Sequence, residues 1–230
     1  MIIVPTAALL GILTDVLPLA DDSKDSPLFG VLLEWTGTVL NAHASYAGGL
    51  MAGASTWDPD DTFDAPPDDA GYVPGPTRED EPAWRVFVSY PDAVEIVKTF
   101  KVPEKFRHVP LFVKVNDTGT RLIVERSRDT GRTEHVMTVQ PTGTEAAFPD
   151  IARTAWRFRH GDSDVGRVEV WGHRLAAFSN ASRRGPLELA FNKGGPIVVQ
   201  VGDRFIGMLT PERAKSEASS VLRDGAGVLV

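Results

Sequence analysis

His160-Gly161-Asp162-Ser163-Asp164 places a base, a hydroxyl and two carboxylates within five residues, the side-chain types that nucleophilic or acid–base catalysis needs. Neighbours in sequence rarely converge on one reacting atom, however, and Gly-Asp-Ser-Asp is ordinary turn chemistry. We read the segment as a turn. The five histidines, His43, His108, His135, His160 and His173, are dispersed, and none forms a helical i, i+4 pair beside a glutamate, so a zinc-hydrolase signature is missing. There is no GxSxG elbow, no P-loop and no GxGxxG. The Asp-rich run at 58–69 lacks the glycine and terminal glutamate of an EF-hand loop. No catalytic residue, metal ligand or cofactor is expected.

The elements around these residues follow from patterning. Ile2 to Val4 has strand character, Thr6 stands at an N-cap position, and Leu9, Leu13 and Val16 share one helical face that Pro18 ends. FGVLLEW and VLNAHASY, parted by Thr36-Gly37-Thr38, predict a hairpin, and Leu50 to Trp57 a further strand. A second unit opens with WRVFVSY. Pro91-Asp92 starts its helix, whose apolar face is Ala93, Ile96, Val97 and Phe100, and strands follow at VPLFVKV, RLIVERS and HVMTV. A third unit has TAWRFRH as its strand and a helix near Val168 to Ser182. Trp171, Leu175 and Phe178 fall on one side of that helix, with His173, Ala177, Asn180 and Arg184 opposite. LELAFNKGGPIVVQVGDRFIGMLTPER then reads as a strand pair. Repeated blocks of about 60 residues bury their apolar faces only beside a neighbour. The fold class is α+β, with repeated strand-helix-strand units. We divide the chain into 1–148, holding two units, and 149–230, a shorter unit with a C-terminal tail.

The net charge of −7 is unevenly placed. Residues 58–82 hold nine acidic residues and one basic residue, or −8, which leaves 22 acidic against 23 basic elsewhere, or +1. That Pro- and Asp-rich stretch is expected to be an acidic loop. The remainder is compatible with an anionic partner. No apolar run reaches the roughly 18 residues that cross a bilayer, and MIIVPTAALLGILTDVLPLA has no base ahead of its apolar run, so it is read as strand and helix rather than leader. Without cysteine there is no disulfide framework, which fits a cytoplasmic setting.

The order of strand, helix and hairpin, the segment SPLFGVLLEWTGTVLNAHAS, the AAFPDI stretch after the second unit and the late GDRFIGMLTPER together resemble the bacterial DNA polymerase sliding clamp, or β subunit. The resemblance implies a non-enzymatic processivity factor: a homo-oligomeric ring with helices lining the hole and sheets outside. It would encircle double-stranded DNA without sequence preference and tether a DNA polymerase, with a clamp loader as a further partner. Sequence-independent phosphate attraction asks for bases on the lining helices. The DNA-facing residues implied are Lys98, Lys101, Lys105 and Arg107 on the second helix and its exit, with Arg167, His173, Arg174, Arg183 and Arg184 on the third helix and its exit. The first helix departs from this, since Ala7, Ala8, Gly11, Thr14 and Asp15 occupy its expected outer face. The partner-peptide pocket implied comprises Leu175, Gly207, Met208, Leu209 and Pro211. Thr210 and Glu212 stand where the family's Met-Pro-Met motif has methionines.

Rings of this family contain twelve units, so three units per chain imply a tetramer, whereas the length of 230 residues matches two-domain clamps that close as trimers. The compact length and the excess of Arg over Lys, 17 to 7, suit a bacteriophage version acting in a bacterial cytoplasm. A second reading is a clamp-fold module that binds proteins and does not encircle DNA.

Overall fold

The computed structural model describes residues 1–46, 51–60, 82–103, 106–116, 118, 121–128, 131–138, 148, 150, 151, 153–155, 170–182, 185–191 and 195–211. For 127, 128, 131–138 and 182 it describes the backbone only. The acidic loop beyond Asp60, the Gly161–Asp164 turn and the tail after Pro211 lie outside the described residues.

The first unit runs β1 (Ile2–Pro5), α1 (Thr6–Val16), β2 (Gly30–Trp35), β3 (Leu40–Tyr46) and β4 (Met51–Trp57). The second repeats it as β5 (Trp84–Ser89), α2 (Tyr90–Phe100), β6 (Pro110–Val115), β7 (Arg121–Arg128) and β8 (Gly131–Thr138). The third contributes two short helices, α3 (Gly172–Ala176) and α4 (Ser179–Ser182), then β9 (Glu188–Ala190), β10 (Ile197–Val201) and β11 (Phe205–Leu209). These strands form a four-stranded sheet, β1-β6-β7-β8, and a seven-stranded sheet, β5-β2-β3-β4-β11-β10-β9. Each unit exchanges a strand with the other, because β1 pairs with β6 and β5 with β2.

The period-2 and period-3.6 patterns meet in one core. Leu9, Ile12, Leu13 and Val16 of α1 and Ile96 and Phe100 of α2 are buried against Val31, Leu33 and Trp35 of one sheet and Leu111, Val113, Leu122 and Val124 of the other. Alternate residues of the larger sheet point the opposite way. Leu32, Phe87, Val198 and Met208 form a second cluster there with Phe148, Ile151 and Ala155 from the chain segment that follows the second unit.

Both ends of α2 are satisfied by side chains. Ser89 accepts from the Asp92 backbone N–H and donates to its carboxylate at 2.7 Å, capping α2 as Pro91 enters its first turn. At the other end, buried Arg126 from β7 donates through Nη2 to the carbonyl of Phe100 and lies 5.2 Å from its ring centroid. A cation at a helix C-terminus offsets the negative end of the dipole.

Several expectations need correction. Thr6 is the first residue of α1 rather than its cap. Its hydroxyl donates instead to the Val109 carbonyl at 2.6 Å, while the Thr6 and Ala7 N–H groups bond to the carbonyls of Val109 and Arg107. Ala8 and Asp15 do not face outward; both are buried, and Asp15 accepts from Ser55 of β4 at 2.8 Å. Thr154 and Ala155, expected to open a strand, are helical. The long third helix is broken, with Ala177 and Phe178 in a turn between α3 and α4. Trp171 precedes α3 in extended backbone, so at 53% exposed it does not share the buried face of Phe178. Asn180, expected opposite that face, donates to the Thr14 carbonyl and faces α1.

Gly53 of β4 and Gly207 of β11 are register partners at the strand junction that ties the third unit to the first. A Cβ on Gly207 would lie 2.6 Å from Cε1 of the fully buried Phe178 ring and 3.0 Å from the Ala52 carbonyl oxygen. Gly207→Ala is therefore expected to lower stability by about 1–3 kcal/mol through overpacking. Gly172→Ala, where nothing lies within 4 Å, leaves it unchanged or slightly raised. Paired thermal melts of the two variants check this, and equal melting temperatures would refute the packing account. Arg126→Ala removes the cation at the end of α2 and is expected to lower stability by roughly 1.5–3 kcal/mol in denaturant titration.

Candidate nucleic-acid interface

The helices form one layer, with α1 between α2 on one side and α4 on the other. Every residue from Thr6 to Val16 is buried or half-buried, and none is basic. Positive charge therefore sits on the flanks. α2 buries Ala93, Ile96 and Phe100, which turns Lys98 in its last turn, and Lys101 just past it, out to solvent. Arg107, also exposed, follows in the loop to β6, where its Nε donates to Nε2 of His108 at 3.0 Å. On the other flank His173 is exposed and Arg174 half-buried, both on α3. Lys105, Arg167, Arg183 and Arg184 lie outside the described residues. The described members of the expected DNA-facing set thus occupy two groups separated by a neutral helix. Such an arrangement attracts an anionic polymer at several points and offers no base-edge hydrogen-bonding array along its middle.

The five residues expected to form a peptide pocket fall on different faces. Gly207 and Leu209 point to the helix side of β11, whereas Met208 lies beneath Phe148, Ile151 and Ala155 on the other side. The sheet itself separates them. β11 is also paired on both edges, with β4 and β10, so neither of its edges is open to an added strand. Leu175, packed at the margin of the main core, and Pro211, just past the strand, are the two half-buried members.

A polar cluster on the outer face escaped sequence reading. Glu34 and Arg85 are direct cross-strand partners, with Arg85 Nε 3.1 Å from Glu34 Oε1. His43 lies diagonally across β2–β3, with Nε2 3.4 Å from Glu34 Oε2, and its ring meets Phe148 edge-on at 6.4 Å between centroids. Phe87 lies a further 6.4 Å from Phe148 on its other side. The alternation of β2 would have placed Glu34 on this face, but nothing local to the sequence joins residue 148 to residues 34, 43 and 87. Among the described residues no group of three or more His, Asp and Glu side chains could hold a metal ion. No helix among them is long and apolar enough to cross a membrane.

Paired two-sheet units with their helices gathered on one side define the fold of the DNA polymerase sliding clamps, and this chain has that fold. It matches the DNA polymerase III subunit beta of Pseudomonas aeruginosa over 93% of its length, with a TM-score of 0.57 and 10% sequence identity. The β subunit of Thermotoga maritima gives 0.59 at 13% identity, and the sliding clamp of Bacillus subtilis 0.58 at 11%, each again over 93% of this chain. The chain spans only 64–66% of these proteins' own lengths. No protein-family model and no curated protein matches the sequence.

The outer-face cluster carries a pH dependence. The close approach of His43 Nε2, with the charge of Arg85 nearby, holds the Glu34 carboxyl below its ordinary value of 4.5 against the opposing effect of burial. A carboxyl depressed in the folded state stabilises the fold above its unfolded value and loses that contribution as pH falls through the folded value. Glu34→Gln is therefore expected to melt below the wild type at pH 7, with the gap closing below about pH 4. A gap that persists unchanged at pH 3 would refute this assignment.

Proposed function

We propose that the protein is a sliding clamp: a non-enzymatic replication factor whose subunits close into a ring around duplex DNA and hold a DNA polymerase there. The observation that carries this is the charge distribution of the helix layer within a sliding-clamp fold, with Lys98, Lys101 and Arg107 on one flank and His173 and Arg174 on the other. Attraction to phosphates at separated points favours encirclement without locking the protein to one register. Lys105, Arg167, Arg183 and Arg184 extend the same DNA-facing set. Three strand-helix-strand units per chain favour a tetramer over a trimer for a twelve-unit ring. A loader that opens the ring is a further partner, and Leu175 and Pro211 are the residues we assign to contact with the polymerase. The absence of a membrane-crossing helix among the described residues, together with the lack of cysteine, supports action in a cytoplasm, that of a bacterial host if the chain is phage-encoded.

One observation favours a second function, a clamp-fold module that binds proteins without encircling DNA. α1, the middle helix of the layer, presents no base and no exposed residue.

Charge reversal separates the two. Duplex affinity of a variant with Lys98, Lys101, Arg107 and Arg174 each changed to Glu is expected to fall more than tenfold at low salt. Its salt dependence should flatten by up to about 0.9 per lost phosphate contact. Binding and salt slope equal to the wild type would reject the DNA-facing assignment and favour the protein-binding module.

A further inference from the structure

Trp171 is the most exposed large hydrophobic side chain among the described residues, at 53%. The two tryptophans of the sheet core, Trp35 and Trp57, are 1% and 4% exposed, so this indole is set apart from the packing role the others serve. Its backbone is extended, at φ −70° and ψ 126°, immediately before α3, which takes the side chain off the face that Phe178 buries. The imidazole of His173 lies against it, with ring centroids 6.1 Å apart and planes 34° from parallel. Arg174 comes next in the chain.

An apolar patch made to receive a protein side chain is bordered by further apolar residues. Here the residues that follow are Gly172, His173 and Arg174, a small residue and two basic side chains, while the preceding Val170 is half-buried and packs against the main core. The grouping also recurs. Phe106, 47% exposed, is followed directly by Arg107 and His108, in the loop whose Arg107 carbonyl accepts from the first turn of α1. An exposed ring beside positive charge is what a stacked nucleic-acid base needs: the ring gives a sequence-tolerant π-face and the cations hold the adjoining phosphates. A paired base inside a duplex offers no such face.

We propose that Trp171, braced by His173 and flanked by Arg174, is a stacking platform for an unpaired base, so that the protein prefers a primer–template junction or single-stranded overhang to blunt duplex. This rests on the assignment of the α3 bases to the DNA-facing side, and the test is built to separate the two.

The test is fluorescence anisotropy of the full-length protein with three probes: a blunt duplex, the same duplex with a thymidine overhang, and oligothymidylate. Wild type is expected to bind the overhang probe more tightly than the blunt duplex. Trp171→Ala should lower overhang and oligothymidylate affinity about tenfold while blunt-duplex affinity and its salt slope stay unchanged, because no charge is removed. Trp171→Phe, which keeps a π-face, should retain most of the overhang preference. Equal losses on all three probes, or no loss on the overhang, would overturn the platform. So would an unaltered overhang preference in Trp171→Ala accompanied by loss of a protein contact, which would assign the surface to a protein partner. Wild type that binds duplex without preferring the overhang overturns the platform alone; wild type that binds no probe overturns the DNA-facing assignment as well.

Discussion

The closeness with which β4 and β11 pair governs how the three units become one body. Gly53 and Gly207 face each other in that ladder, and the space left by two absent side chains is filled from the helix layer by Leu19 and Phe178. Phe178 also meets Phe205 edge-on at 6.0 Å, so the turn between α3 and α4 is pinned to the strand that carries its unit into the first unit's sheet. Close packing makes such a junction intolerant of even one added methyl group. The seven-stranded sheet, the position of α4 against α1 and the separation of the two basic flanks all follow from it.

Burial and charge then divide the surface. The helix layer keeps its middle neutral because α1 is flanked on both sides, and a lysine or arginine there would lose much of its hydration. Asp15, the acidic residue of α1, is held inside by Ser55. Lys98, Lys101 and Arg107 accordingly stand at the end of α2 and in the loop that leaves it, where long side chains extend into solvent. The opposite face of the sheet is closed by Phe148 and the segment after it, seated on Phe87 and beside His43 while Glu34 and Arg85 bridge the strands beneath. One sheet thus separates a polar-flanked helix surface from a covered outer face.

Much of this was legible where a segment's period matched its burial. Leu9, Leu13 and Val16, and likewise Ala93, Ile96 and Phe100, are buried as their spacing requires, and the Thr36-Gly37-Thr38 turn joins β2 to β3. What failed depended on partners distant in sequence. The face of α1 that its pattern turns outward is covered by Ser55 and α4, 40 and more residues away. The third helix is shorter than its pattern predicts because the break at 177–178 has no Gly or Pro to announce it. The candidate pocket on β11 mixed residues of both sheet faces, since Gly207 and Met208 are adjacent and a strand turns adjacent side chains to opposite sides. The basic residues of α2 were readable from its amphipathic pattern, whereas the exposure of Trp171 emerged only from the fold.

Closure of several copies of this chain into the proposed ring is read from its mass in solution. Light scattering on a sizing column across a wide dilution series should return a discrete oligomer of four chains that stays intact as concentration falls. A monomer at every concentration would contradict the claim, because a single chain of this fold spans only part of the clamps it matches and has no second copy with which to surround DNA.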